Sequence, residues 1–472
     1  MGRSRKNIEY KSVDIIDIAD KGKSIARVEG RVIIVQDTVP GDKADIRVIR
    51  KRKRFYEAIP EKILHYSSHR ADPFCSHFGT CGGCKWQHMN YDAQLIFKTK
   101  NVRDCLERIG KIEIPEMRPI APSAITQYYR NKLEFTFSNK KWLTREEIDS
   151  GDDLERNGLG FHIPGRFDKV VDVDHCYLQG DPSNRLRTLV KNYALNNSIS
   201  FYDVNTHEGV LRNLIIRTAN TGEVMLILQV GEWDEKLKGL LLNIQEEAPE
   251  VTSLNYIINP KQNETFYDLE VHCFSGEKFI RETMQAYGSD QILEFRIGPK
   301  SFYQTNSNQA YLLYRLAAEM ADLQGKETVY DLYTGTGTIA NFIASKAAKV
   351  IGIETVPEAI EDARMNSELN NIENTQFFAG DIKDLLNPSF AATHGSPDVI
   401  ITDPPRAGMH PDVVQTLIKL GAERIIYVSC NPATQARDIE LMKDFYQVKL
   451  VQPVDMFPQT QHVENIVLLE KL

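Results

Sequence analysis

Glu327-Thr-Val-Tyr-Asp-Leu-Tyr-Thr-Gly-Thr-Gly-Thr338 is the stretch on which the fold of this chain turns. The run ending at Leu332 reads as a buried strand, the six residues from Tyr333 as a turn, and Ile339–Ala348 as an apolar helix. A glycine-rich turn between strand and helix lets backbone approach a ligand closely and aims helix N–H groups at it. A second strand, Val350–Ile353, ends in Glu354, about 20 residues past the turn, where an acid can accept both hydroxyls of a ribose. The third glycine of a dinucleotide fingerprint is absent, which favours an adenosyl cofactor over a hydride carrier. A further strand closes at Gly380-Asp381, where a carboxylate can meet an adenine amine.

Strand, loop and helix units continue from about Gly298 almost to Leu472, the pattern of a doubly wound parallel sheet. Pro397–Thr402 opens directly into Asp403-Pro-Pro-Arg406. Two adjacent prolines remove two N–H donors and stiffen the C-terminal edge of the sheet, where ligands of such folds bind. Arg424–Val428 leads into Ser429-Cys430-Asn431-Pro432. A cysteine between a strand end and a proline-started helix is expected to have its thiol pKa lowered by helix N–H groups. A loop with Gln461, His462 and Glu464 then offers a base near that sulfur.

At the other end, alternating β-branched segments at Val13–Ile18, Ser24–Val28, Arg31–Val35, Ala44–Ile49 and Tyr56–Pro60 predict a small Greek-key barrel. The fourth runs into Arg50-Lys51-Arg52-Lys53-Arg54 and then Phe55-Tyr56. Cations beside aromatics on an OB-like barrel suit phosphate contact and base stacking, so Arg50, Arg52 and Arg54 are candidate RNA contacts. The net charge of −8 conceals this module. Residues 1–60 hold 15 Lys/Arg against 9 Asp/Glu, leaving −14 on the other 412 residues. Between barrel and sheet, residues from about Arg130 to Glu282 alternate strands and helices, a middle α+β region, preceded by an amphipathic helix from Tyr91 to about Ile109.

A length of 472 residues implies several domains. A composition 42% apolar and 26% charged, without an apolar run of about 18 residues, argues against a membrane protein. The basic Met1–Lys6 leads into polar sequence and is no secretory signal, so a cytoplasmic protein is expected. Seven cysteines in a long chain fit ligands, nucleophiles or core residues better than a disulfide scaffold.

Taken together, Phe302-Tyr-Gln-Thr-Asn306, Asp331-Leu-Tyr-Thr-Gly-Thr-Gly-Thr338, Asp403-Pro-Pro-Arg406, Ser429-Cys-Asn-Pro432 and His462-Val-Glu464 resemble the RNA uridine-5-methyltransferases in order and spacing. The resemblance covers essentially the whole chain. It implies an α/β protein of three domains: a TRAM barrel at 1–60, a central α+β domain with a 4Fe–4S site at 61–290, and a Rossmann-like class I methyltransferase at 291–472. It also implies that Gln304, Tyr333, Glu354 and Asp403 hold S-adenosylmethionine, that Cys430 is the nucleophile and that Glu464 is the base. Cys75, Cys81 and Cys84 with Cys176 resemble the family's 4Fe–4S ligands. A zinc site would usually show two short pairs, and radical enzymes of this cofactor use a different spacing. Cys105 and Cys273 have no companions and read as core or inert.

The chemistry makes sense of these residues. Carbon 5 of uracil is a poor nucleophile until a thiolate adds to carbon 6, and the methylated adduct must then lose its carbon-5 proton to a base. The target uridine must be unpaired or flipped outward. Arg130, Lys132, Arg212 and Arg406 are further candidate RNA contacts. The resemblance implies large-subunit 23S ribosomal RNA as substrate, with the T-loop uridine of transfer RNA as the alternative; a non-catalytic RNA-folding module is the competing reading, and the three-domain layout suits a monomer. A cytosine-5 enzyme commonly has a cysteine directly after its Pro-Pro pair, where this chain has Arg406.

Overall fold

The computed structural model describes residues 8–152 and 154–472, and the basic Met1–Lys6 lies outside them. The chain divides into two compact units, one of residues up to Lys100 with Phe457–His462, the other of Asn101–Met456 with Val463–Leu472.

In the first unit, β1 (Glu9–Ile18), β2 (Ser24–Val28), β3 (Arg31–Val35), β4 (Lys43–Lys51) and β5 (Phe55–His65) close into a barrel of order β1-β2-β3-β5-β4. Alternation along these strands turns Val13, Ile15, Ala26, Ile33, Val35, Ala44, Ile46 and Ala58 into one small core. Residues 50–54, at the tip between β4 and β5, are all exposed. Below them Tyr56 carries the Arg31 guanidinium 4.4 Å from its ring centre. A second small core forms around Trp86, Val39, Met89 and Ala93, and Trp86 Nε1 donates to the Gly22 carbonyl at 3.0 Å.

Helix α1 (Tyr91–Arg108) matches the expected amphipathic helix, and the division between the units falls within it. The second unit then runs β6 (Lys132–Ser138), α2 (Arg145–Ser150), β7 (Gly158–Ile163), β8 (Arg166–Asp172), α3 (Ser183–Asn196), β9 (Leu211–Thr218), β10 (Val224–Val230), α4 (Glu235–Glu247), β11 (Val251–Ile258) and β12 (His272–Gly276). These strands form one sheet of order β12-β11-β10-β9-β6-β7-β8. Leu133, Phe135, Leu214 and Ile216 on its strands are fully or almost fully buried, as are Leu186 and Val190 of α3 and Leu240 and Ile244 of α4. β13 (Ile280–Gln285) and β14 (Ile292–Ile297) make a separate antiparallel pair.

After α5 (Ser307–Ala321) come β15 (Thr328–Leu332), α6 (Thr338–Ile343), β16 (Lys349–Glu354), α7 (Pro357–Leu369), β17 (Thr375–Ala379), α8 (Ile382–Leu385), α9 (Pro388–His394), β18 (Val399–Thr402), α10 (Pro411–Leu420), β19 (Arg424–Ser429), α11 (Pro432–Glu440), β20 (Tyr446–Val454) and β21 (Glu464–Lys471). They build a seven-stranded sheet of order β17-β16-β15-β18-β19-β21-β20, parallel from β17 to β19, with β21 antiparallel between β19 and β20. Near-continuous apolar strands such as Val350–Ile353 and Val399–Ile401 are what a sheet covered on both faces requires. The order reverses between β15 and β18. At that switch the strand ends leave a crevice, which is where a ligand site is expected. Among the described residues no helix is long and apolar enough to cross a membrane.

Candidate active site

At the C-terminal end of β15 the chain turns sharply. Tyr333 adopts φ +63°, Gly335 +55° and Gly337 +75°, a left-handed conformation that costs a side-chain-bearing residue energy. Gly337 caps α6, and a Cβ there would lie 2.9 Å from the Ala363 Cβ. The turn is held by acids. Asp331 Oδ2 accepts from Thr334 Oγ1 at 2.5 Å and from the Ala340 N–H at 3.1 Å. Glu354 Oε2 accepts from the Gly335 N–H at 3.2 Å, and its Oε1 from the Thr355 N–H at 2.7 Å.

Asp331 was not singled out from the sequence as a site residue. It is fully buried, its Oδ1 has no hydrogen-bond partner, and burial pushes its pKa up to about 7. A buried acceptor without a donor marks a place for a ligand's N–H or ammonium. The available signal was an acid in the otherwise apolar strand before the glycine turn. Asp381 is placed differently: exposed, it caps α8 and pairs with Lys383 at 3.0 Å, which lowers its pKa. Gln304 is buried just before α5, its backbone carbonyl accepting from Asn131 Nδ2 at 2.9 Å.

The other half of the crevice is chemically unlike the first. Asp403 follows β18, and burial together with the nearby Asp331 charge pushes its pKa up to about 7. Glu464 is the first residue of β21, not part of a loop as its sequence suggested. Burial and the Asp403 charge hold its carboxyl well above the ordinary range. Tyr314 of α5, also buried, feels the charges of Asp403, Asp331 and Glu464. Cys430 stands at the end of β19 beside this group, with Ser429 directly opposite Asn465 in the antiparallel register. Neighbouring strands thus bring Cys430 and Glu464 to one edge of the sheet.

The expectation of a lowered thiol pKa is overturned. Burial first, then Glu464 and Asp403, push the Cys430 thiol up to about 11, against a smaller opposing pull from Arg406. The cap of α11 explains why the helix gives little help. Asn431 occupies the cap position and its Oδ1 already accepts from the Ala433 N–H at 3.2 Å.

Of the candidate RNA contacts, Arg50, Arg52, Arg54 and Arg406 are exposed, with Arg52 paired to Glu57 at 3.1 Å. Arg130 is half-buried over the Tyr129 ring. Lys132 is half-buried, and burial with the Arg217 charge lowers its pKa to about 8. Arg212 faces inward, its guanidinium donating to the carbonyls of Asn259, Lys261 and Asn263 and stacking 4.2 Å from the Tyr202 ring centre. Of the four cysteines assigned to a cluster, Cys75, Cys81 and Cys84 belong to the first unit and Cys176 to the second. Among the described residues no group of three or more His, Cys, Asp or Glu side chains forms a metal-holding set, so the expected iron–sulfur site is not shown.

Comparison with known proteins bears on the same regions. Residues 5–60 match the TRAM domain model, and residues 271–472 match the model of tRNA (uracil-5-)-methyltransferases. An uncharacterized RNA methyltransferase of Bacteroides thetaiotaomicron is 56% identical, over 96% of this chain and 100% of its own length. One from Porphyromonas gingivalis is 50% identical over 97% and 99%. The solved structure of the Pyrococcus abyssi tRNA (uracil-54, C5)-methyltransferase, in complex with S-adenosyl-L-homocysteine, is 29% identical, covers 97% of this chain and 99% of its own, and superposes with a TM-score of 0.73. The strand ends that hold Cys430 and Glu464 lie inside the 271–472 match, and the other covers the barrel except the end of β5, so the chain belongs to the RNA uracil-5-methyltransferase family and is an RNA methyltransferase with an N-terminal TRAM domain.

Proposed function

We propose that this enzyme methylates carbon 5 of a uridine in 23S ribosomal RNA through a covalent bond between Cys430 and carbon 6 of the base. The observation that carries the reading is the meeting of Cys430, Glu464 and Asp403 at one sheet edge, beside a glycine turn with a buried acid, Asp331, whose Oδ1 has no partner. The donor set at that turn fits S-adenosylmethionine. Asp331 would take its ammonium group, Glu354 its ribose, Asp381 its adenine amine, with Gln304, Tyr333 and Asp403 lining the rest. When bound, it supplies an electrophilic methyl group.

Cys430 gives up its proton to solvent and its sulfur bonds to carbon 6, placing the electron pair at carbon 5, which bonds the methyl carbon as that carbon's bond to the donor sulfur breaks and its pair stays on the sulfur. Glu464 removes the carbon-5 proton, the carbon–sulfur bond breaks, and the ring regains its double bond. A carboxylate with a raised pKa is a stronger base once ionised, so the apolar wrapping of Glu464 serves this step. Arg406 lowers the cost of thiolate formation and stands exposed for RNA phosphate.

The likeness to the Pyrococcus enzyme favours a second reading of the substrate, the T-loop uridine of transfer RNA. Nucleotide-resolved mapping of 5-methyluridine in cells with and without the protein separates the two. Loss of a mark in 23S RNA supports the proposal, loss only in the T-loop replaces its substrate, and survival of every mark refutes both.

The layout at 1–60, 61–290 and 291–472, a monomeric cytoplasmic form and a 4Fe–4S cluster on Cys75, Cys81, Cys84 and Cys176 complete the proposal. The Gly83 N–H donating to Cys81 Sγ at 3.4 Å is the kind of bond a cluster-ligating thiolate accepts. Iron and acid-labile sulfide in anaerobically purified protein test it, and metal-free protein of full activity overturns it.

A further inference from the structure

The loop after β18 closes on itself through one hydrogen bond, from the Gly408 N–H to the Pro405 carbonyl at 2.8 Å, and is otherwise held from outside. Pro404 and Pro405 contribute no N–H donors, and Gly408 is in a left-handed conformation at φ +78°. Its anchor is Asp438 of α11, a carboxylate only 1% exposed. Asp438 Oδ2 accepts from the Met409 N–H at 2.8 Å and from the Tyr427 hydroxyl at 2.7 Å, so one oxygen joins the loop to the strand that ends at Cys430. Asp438 Oδ1 accepts from Arg437 Nε at 2.9 Å and Nη2 at 2.7 Å, and the same Nη2 donates to the Ala407 carbonyl at 3.0 Å. Closer to the nucleophile, Asn431 Nδ2 and Thr434 Oγ1 donate to the Arg406 carbonyl at 3.0 and 3.3 Å.

We propose that Asp438 is a positioning residue for methyl transfer: through Met409, Tyr427 and Arg437 it fixes the Asp403–Met409 loop against the strand and helix that flank Cys430. The inference rests on Cys430 as nucleophile. It assigns to one buried acid, eight residues beyond the thiol, the spacing between the Asp403 and Arg406 side of the site and the attacking sulfur. The chemistry requires such a device. The loop and the Cys430 turn belong to separate strand ends, and a misplacement of about 1 Å between reacting groups costs on the order of 100-fold in rate.

The test is adduct formation on 23S and transfer RNA transcripts made with 5-fluorouridine. Glu464 cannot remove fluorine, so the methylated protein–RNA adduct accumulates and is read as a shifted band on a denaturing gel. Asp438→Asn removes the charge that draws the four donors together. Gly408→Ala places a Cβ 2.6 Å from Asp438 Oδ2 and pushes the loop off its anchor, while Thr434→Val deletes one bond to the Arg406 carbonyl and leaves Asp438 untouched. At saturating substrates Asp438→Asn and Gly408→Ala are expected to slow adduct formation by about 100-fold, and Thr434→Val by less, with KM for S-adenosylmethionine changing far less than the rate in all three. Folded Gly408→Ala and Thr434→Val proteins forming adduct at the wild-type rate would overturn the inference. Cys430→Ala separates the two levels. If it is inert while the loop variants are normal, only the positioning role fails; if it still methylates unmodified RNA, the nucleophile assignment beneath it fails.

Discussion

The two halves of the crevice use the same residue types in opposite ways. Beside the glycine turn, Glu354 accepts from the N–H groups of Gly335 and Thr355, and Asp381 is paired with Lys383, so these acids are held by donors close at hand. Across the switch, Asp403 and Glu464 are buried close to one another, and their pKa values rise together. Glu354 and Asp381 are tied in place, while Asp331 on the same side keeps one bare oxygen, Oδ1, and a raised pKa. On the other side, burial favours the protonated forms of Asp403, Glu464 and Cys430 together. Perturbed groups gathered at strand ends are a mark of a functional site, whereas satisfied acids mark shape.

The difference can be broken most severely at the sulfur. Cys430→Ala is expected to lower methylation by at least about 10⁴-fold, since no other thiol is assigned to this edge. A residual rate within tenfold of wild type would show that the strained side is not the reacting one. Next in size is Glu464→Gln, which leaves addition and methyl transfer intact but removes the base. Turnover should fall by about 10²–10⁴-fold and a methylated adduct should persist on ordinary RNA. A loss of turnover without any adduct would assign Glu464 an earlier role.

With its thiol pushed up to about 11, Cys430 should form adduct about tenfold faster per pH unit between roughly pH 7 and 9, measured in single turnover. A flat profile would place thiolate formation elsewhere than in the free thiol.

A smaller effect is expected in stability. The pKa of Asp403 is raised to about 7 by burial and Asp331. Between the ordinary carboxylate pKa and that value the native state binds more protons than the unfolded chain, so stability falls as pH rises through this window and stays reduced above it. Asp403→Asn removes that cost. Its thermal midpoint should exceed wild type by several degrees at pH 8 and approach it near pH 4, even though activity is lost. Equal midpoints at pH 8 would deny the strain. The smallest change belongs to the satisfied side. Lys383→Ala breaks an exposed pair and should leave the thermal midpoint unmoved within error, and a clear drop would mean that Asp381 depends on it.

Much of this was legible from the residues alone, because alternation and punctuation are local. The barrel strands, the amphipathic helix from Tyr91, the strand and turn up to Gly337 and the Pro-Pro lip all lie where the sequence put them, within a few residues. Cys430 was legible at a strand end on the ligand edge, whereas Glu464, read as a loop residue, opens β21. The direction of the Cys430 shift was not, since it depends on carboxylates from other elements and on Asn431 already serving the helix cap. Arg212 misled for a similar reason. A strand-end arginine reads as a surface charge until the 259–263 carbonyls fold over it. Asp438 gave no signal at all, as its donors come from three separate segments.

The register of β21 has a temporal meaning as well. Glu464 opens a strand that is inserted between β19 and β20, with Val454 opposite Glu464 and Ser429 opposite Asn465. During synthesis, a ribosome-bound chain that has not reached residue 464 already carries the sulfur, the Pro-Pro lip and the glycine turn. What it lacks is the strand that carries Glu464. A slip of one residue in the pairing of that strand would turn Glu464 to the opposite face of the sheet, so the last strand to be made sets, by its register alone, whether the carboxyl reaches the edge where Cys430 stands.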